Sequence, residues 1–290
     1  MRELEVQLGR RTVLVRDTGP SGASPIVYFH GTPGSRLDLR FGDAVAASLG
    51  VRVVSFDRPG YGRSSPAPYS LTSIAHDVAA VADAVGLDRF ATLGWSGGGP
   101  FALAAAAVLG ERVTRVGVAG GLAPPQLMPG GTAAFTDNDR LALSFLPDEP
   151  ERAAAQLLVG GAEMLRGLLS VRDDEAAPWI DWMWGETDPE VIAAPALRAN
   201  LFLLLHEGLR QGPEGIAWDN VAWCGPWGVD LAAVRCPVHL WYGDRDEMVP
   251  LANGSWLQEH LPSAELVVCG GEGHLVPMRH WREMASTLAG

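Results

Sequence analysis

The sequence predicts an α/β fold with a mostly parallel sheet and a mainly helical insertion, and three observations carry that prediction. Short apolar runs such as Ile26-Val27-Tyr28-Phe29 alternate with helical periodicity from about residue 24 to 120. Right-handed crossovers between parallel strands require that rhythm. Each run ends in a Gly-rich turn, the place where open sheets of this kind bind ligands. From Gly120 to about Val234 the alternation disappears, and it resumes at Cys236.

Taken in order, residues 3–8 and 11–17 alternate polar and apolar side chains around Gly9-Arg10 and read as a β-hairpin. Ile26 to Phe29 is uniformly apolar, as a strand covered on both faces should be, and ends in His30-Gly31-Thr32-Pro33-Gly34. A helix is expected from about Leu37 to Leu49, then a strand from Val51 to Phe56 that ends in Asp57-Arg58-Pro59-Gly60-Tyr61-Gly62-Arg63-Ser64. Ile74, Val78, Val81 and Val85 recur at helical spacing between about Leu71 and Val85. Phe90 to Trp95 reads as a strand, an Ala-rich helix follows to Leu109, and Val113 to Ala119 is a further strand. The middle segment holds helical stretches near 139–146, 150–170 and 196–211, together with six of the ten tryptophans: Trp179, Trp182, Trp184, Trp218, Trp223 and Trp227. The closing part reads as strand 238–242, helix 253–260, strand 265–268 and helix 279–288. The division expected is a core from 1–121 and 235–290, with 122–234 a helical lid over the strand ends.

Composition narrows the function. With 47% hydrophobic residues over 290 positions, the chain can bury a large core. All 22 basic residues are arginine; a Walker-type phosphate loop and a lysine Schiff base are therefore excluded. A net charge of −12 argues against nucleic acid. Residues 122–234 carry 17 acidic residues against 6 arginines, nearly all of that charge. No apolar run approaches the ~18 residues of a membrane span, and Met1-Arg2-Glu3-Leu4-Glu5 lacks the apolar stretch of a signal peptide. Cys224, Cys236 and Cys269 are too few and too scattered for a disulfide framework or a zinc site. A cytoplasmic protein is expected, one that acts on a small molecule and needs neither metal nor membrane; its oligomeric state is left open.

The chemistry centres on Gly94-Trp95-Ser96-Gly97-Gly98, a serine between small residues where a strand meets a helix. That spacing is the nucleophile-elbow pattern. A serine hydroxyl needs a base to take its proton, and the base needs an orienting acid. His274 follows the last strand in the loop Gly270-Gly271-Glu272-Gly273 and can reach over the elbow. His76, His206, His239, His260 and His280 fall within helices, a strand or a helix end, and His30 precedes the serine, where it is expected to pin its own loop. For the acid, the loop after strand 238–242 offers Asp244, Asp246 and Glu247, with Asp246 favoured. The N–H groups of Gly97 and Thr32 are placed to bind an oxyanion, and Trp95, beside the serine, is expected at a pocket wall.

Those motifs, with Gly243-Asp244-Arg245-Asp246, Val249-Pro250 and Gly273-His274, resemble the α/β-hydrolase superfamily in its lid-bearing serine hydrolase branch. The resemblance covers about residues 24–120 and 235–288. It implies an eight-stranded, mostly parallel sheet flanked by helices and no cofactor. It also implies Ser96 as nucleophile, Asp246 as acid, His274 as base, and Thr32 and Gly97 as oxyanion donors. A serine at the elbow separates the chain from the epoxide-hydrolase and haloalkane-dehalogenase branches, which carry aspartate there. The reaction expected is cleavage of a neutral, partly apolar carboxylic ester through an acyl-enzyme. An aminopeptidase of the proline-iminopeptidase kind is the second expectation. A cofactor-free perhydrolase, a carbon–carbon bond hydrolase and a non-catalytic ligand-binding protein are the others.

Overall fold

A computed structural model describes residues 1–133, 135–159, 161–173 and 177–290. Eight strands form one sheet in the order β1-β2-β4-β3-β5-β6-β7-β8. The hairpin β1 (Arg2–Leu8) and β2 (Arg11–Thr18) lies at one edge, and β2 runs antiparallel to β4 (Val51–Phe56). The remaining strands, β3 (Ser24–Phe29), β5 (Phe90–Trp95), β6 (Val113–Ala119), β7 (Val238–Gly243) and β8 (Ala264–Cys269), pair in parallel. The period of two in a strand sorts its side chains to opposite faces. Val27 and Phe29 of β3 join the core beneath α2 (Leu71–Ala84) and α3 (Gly99–Leu109). Ile26 and Tyr28 join the opposite core, beneath α1 (Asp43–Ser48) and α12 (Val276–Ala289). Because both faces are covered, the central strands are mostly apolar, and the polar side chains of β4 are buried with partners, Arg52 on Asp17 and Ser55 on the Arg36 carbonyl.

Between β6 and β7 the described residues form α4 (Asp137–Leu143), α5 (Pro150–Leu157), α6 (Gly161–Ser170), α7 (Pro178–Trp184), α8 (Pro189–Ile192), α9 (Pro195–Gly208) and α10 (Glu214–Cys224). α11 (Ala252–His260) joins β7 to β8. Residues 134, 160 and 174–176 of the expected insertion lie outside the described residues.

Two expected helices differ from the sequence reading. The one at 37–49 is a single turn at Arg40–Gly42 followed by α1, because Asp38 accepts the N–H groups of Ser35 and Gly31 and holds the first residues in a loop. The stretch 150–170 divides into α5 and α6. Val159, at that break, is exposed, and Gly161 opens the second helix where an interior glycine would be unfavourable. No described helix is long and apolar enough to cross a membrane.

The helices after β6 are tied to the core by polar contacts. Gly62 N–H donates to the Gly208 carbonyl at 3.1 Å. The Gln211 side chain donates to the carbonyls of Tyr61, Gly62 and Ser64 at 2.8–3.3 Å, and Asn200 donates to the Asp38 carbonyl at 2.7 Å.

Candidate active site

Ser96 sits at the end of β5 with φ +54° and is the one described non-glycine residue in the left-handed region. Such strain persists only where the surroundings enforce it. Here the enforcement is close packing. A Cβ on Gly94 would collide with the carbonyl of Gly98, and one on Gly98 with the carbonyl of Phe29. Only glycine lets strand, turn and helix approach this tightly. Ser96 keeps part of its surface accessible between buried neighbours.

The other turns converge on it. His274, 3% exposed, has Nδ1 2.7 Å from Asp246 Oδ2. The second oxygen of Asp246 accepts the N–H groups of Met248 and Val249, both at 2.9 Å. Asp246 is therefore fixed by its own loop and presents one oxygen to the ring. Asp244 turns elsewhere and accepts Gly271 N–H at 2.7 Å. The adjacent Gly120 and Gly121 connect the parts. Gly120 lies against the His274 ring and Asp246, and Gly121 against the Ser96 carbonyl. Among the described residues no hydrogen bond joins Ser96 Oγ to His274; such bonds are often long in unliganded sites and tighten with substrate.

Thr32 reaches the elbow from the loop after β3, its side chain pressed against the Cα of Gly97. Beneath it lies a network that the sequence reading missed. Asp219 of α10, fully buried, takes Arg58 Nε at 2.8 Å and Nη2 at 2.6 Å, Tyr61 Oη at 2.6 Å, Tyr69 Oη at 2.8 Å and Thr32 Oγ1 at 2.5 Å. Arg58 also donates to the carbonyls of His30 and Gly31. Burial and the Asp219 charge push the Tyr61 and Tyr69 hydroxyls far above their ordinary range, so both stay protonated as donors. His30 accepts Arg58 N–H at 3.1 Å through Nε2 and faces the Gly31 carbonyl at 2.7 Å through Nδ1. It pins its own loop.

A second buried carboxylate was also missed. Asp188, just before α8, accepts Gly273 N–H at 3.1 Å and Leu275 N–H at 3.4 Å, gripping the backbone on both sides of His274. A lone acid in a helical stretch reads as solvated surface. The usable signal at Asp219 was its neighbourhood, since Gly215 and Ala222, one turn away on either side, are small and buried.

Trp95, expected at a pocket wall, is 5% exposed; its Nε1 donates to the His274 carbonyl at 3.1 Å and its ring lies 5.6 Å from the imidazole. It braces the histidine loop. Of the six tryptophans of the inserted segment, Trp182 is 81% exposed and Trp179, Trp184 and Trp227 are buried. Trp223 Nε1 lies beside Gly97 of the elbow. A cavity of about 1030 Å³ opens between residues 124–146, the end of α10 and α11, walled by Leu127, Leu146, Trp227 and Trp256. Neither Ser96 nor His274 lines it. Ligand atoms of Cys269, Glu272 and His280 lie within 4.8 Å of one another, but Glu272 is bonded to His280 and to Arg279, an arrangement that an ion pair explains.

A family model described as alpha/beta hydrolase fold matches residues 24–280. The chain is 29% identical to a 2-hydroxy-6-oxononadienedioate/2-hydroxy-6-oxononatrienedioate hydrolase of Pseudomonas putida, over 96% of this chain and 88% of that protein. It is 25% identical to a poly(3-hydroxyalkanoate) depolymerase of Ectopseudomonas oleovorans, over 89% and 80%. The crystal structure of a bromoperoxidase from Bacillus anthracis superposes with a TM-score of 0.72 at 19% identity, covering 99% and 98%.

Proposed function

The chain belongs to the alpha/beta hydrolase fold family, and from that premise we propose that it is a serine hydrolase cleaving a neutral, partly apolar carboxylic ester. The observation that carries this reading is the 2.7 Å bond from His274 to a loop-fixed Asp246 beside the left-handed Ser96 elbow. With Nδ1–H held by Asp246, the ring has Nε2 available as a base. Ser96 Oγ attacks the acyl carbon while its proton passes to His274 Nε2, and the N–H groups of Thr32 and Gly97 hold the resulting oxyanion. The same proton then goes to the departing alkoxide, leaving an acyl-enzyme. Water repeats the sequence, giving its proton to His274, and the collapse of the second oxyanion returns Ser96 and a carboxylic acid. Asp246 stays ionised throughout.

Residues 122–234 act in this reading as the substrate-covering segment, and their acidity supports a neutral substrate. So does the engagement of the arginines in the loops around the site. Arg58 is bound by Asp219, and Arg36 by Asp57, Glu3 and Glu207. A dicarboxylate, such as the first relative's name describes, would need cations that these loops hold in internal pairs. An aminopeptidase would need carboxylates for an ammonium, yet Asp188 and Asp219 are both occupied by donors of the core. The depolymerase likeness favours ester chemistry, since poly(3-hydroxyalkanoates) are joined by ester bonds. The test is fluorophosphonate labelling located by mass spectrometry, followed by a panel of p-nitrophenyl esters, aminoacyl anilides and a 2-hydroxy-6-oxo dienoate. Labelling at Ser96 with turnover of neutral esters is expected. Turnover of the dienoate alone would replace the ester reading with carbon–carbon bond hydrolysis.

A further inference from the structure

The indole of Trp223 presents an unused hydrogen-bond donor at the elbow. Trp223 lies in the last turn of α10, and its Nε1 is buried without a hydrogen-bond partner. An indole nitrogen can only donate, and a buried donor without an acceptor is costly and calls for an explanation. Position supplies one. Nε1 lies 3.5 Å from the point where a Cβ on Gly97 would stand, on the side also occupied by Thr32. Of the two residues whose N–H groups were assigned to the oxyanion, Gly97 is the one that Trp223 approaches, and Thr32 packs on that same side of it.

The placement is rigid. Asp219, one helical turn before Trp223, is clamped by Arg58, Tyr61, Tyr69 and Thr32, and the Trp223 carbonyl accepts Trp227 Nε1 at 2.9 Å. Helix α10 therefore holds the indole in the same network that holds Thr32. We infer that Trp223 Nε1–H is a third donor to the acyl oxygen at Ser96, completing with Thr32 and Gly97 a three-donor site for a tetrahedral oxyanion. This rests on the acyl-transfer reading above. A group fixed before reaction can stabilise charge that develops only in the transition state.

The test uses the intact protein and an ethoxy fluorophosphonate, whose phosphoryl oxygen occupies the oxyanion position once Ser96 is modified. With ¹⁵N-indole labelling the ten tryptophans give ten side-chain N–H resonances, and the one lost in W223F is Trp223. On modification of the wild type, that resonance should move downfield and its solvent exchange should slow. W223F, which keeps the aromatic packing, should react about 10²- to 10³-fold more slowly at Ser96, with KM for a neutral ester changed far less than kcat. A Trp223 resonance that stays in place while mass spectrometry shows Ser96 fully modified would overturn the inference and leave the acyl-transfer reading standing. Failure of Ser96 to react in the wild type would overturn both, and the mass measurement separates the two results.

Discussion

The two nitrogens of His30 have opposite duties, and these decide its charge. Nδ1 donates to the Gly31 carbonyl, and Nε2 accepts the Arg58 amide, so the ring must be neutral. Burial, with the Arg58 guanidinium beside it, holds its pKa well below the ordinary histidine value. The unfolded chain takes up a proton near pH 6.5 that the folded protein refuses. Stability should therefore fall as pH drops below about 6.5. In H30N, whose amide can donate and accept, that part of the slope should vanish; urea titrations across about pH 5 to 7.5 compare the two. Parallel curves would mean that His30 is protonated in the fold. The proposed triad makes a second prediction. D246N should lose about 10⁴ in turnover because the ring loses the acceptor that sets its tautomer. D244N should lose far less, since Asp244 only ties down Gly271; steady-state kinetics on a neutral ester rank the pair. These turns were legible because strand-end motifs carry local glycine and proline signals. The bond from Trp95 to the His274 carbonyl was not legible, because sequence order shows that Trp95 neighbours Ser96 but not that its ring lies against His274.

At the scale of elements, α10 is held to the core by charge. Arg58 and Asp219 are both fully buried, and breaking such a pair strands a charge in a medium that cannot solvate it. D219A should destabilise the protein by about 3–5 kcal/mol, and R58M/D219L should recover much of that loss because no buried charge remains. Chemical denaturation measures both, and a double variant no better than D219A would mean that the tyrosine and Thr32 bonds dominate. The helices themselves were readable where an apolar stripe runs at 3.6-residue spacing, as in α2. They were not readable where loop chemistry intervenes, as at Asp38, or where a helix is anchored by one acid. Asp188 and Asp219 follow no periodicity, and their importance comes from partners 85 and 161 positions away.

Over the whole molecule, the mostly parallel sheet was legible in the strand and helix rhythm while its strand order was not, because alternation does not say which strands become neighbours; the charge distribution bears on substrate choice. With almost all of the net −12 on residues 122–234, the potential over the proposed site should be negative and favour neutral or cationic acyl substrates. For matched neutral and anionic esters, kcat/KM should differ most at low ionic strength and converge as screening shortens to ~8–10 Å near physiological salt. A preference for the anionic ester at low salt would contradict it. The grip of Asp188 on both sides of His274 and of Asp219 on the Thr32 loop also limits how new specificities can arise in this scaffold. A recombinant chain that borrows residues 122–234 from a relative inherits a different pocket, but it also discards the two carboxylates that shape the loops beneath. Unless acids return at those two positions, the exchange trades away the catalytic geometry along with the old specificity.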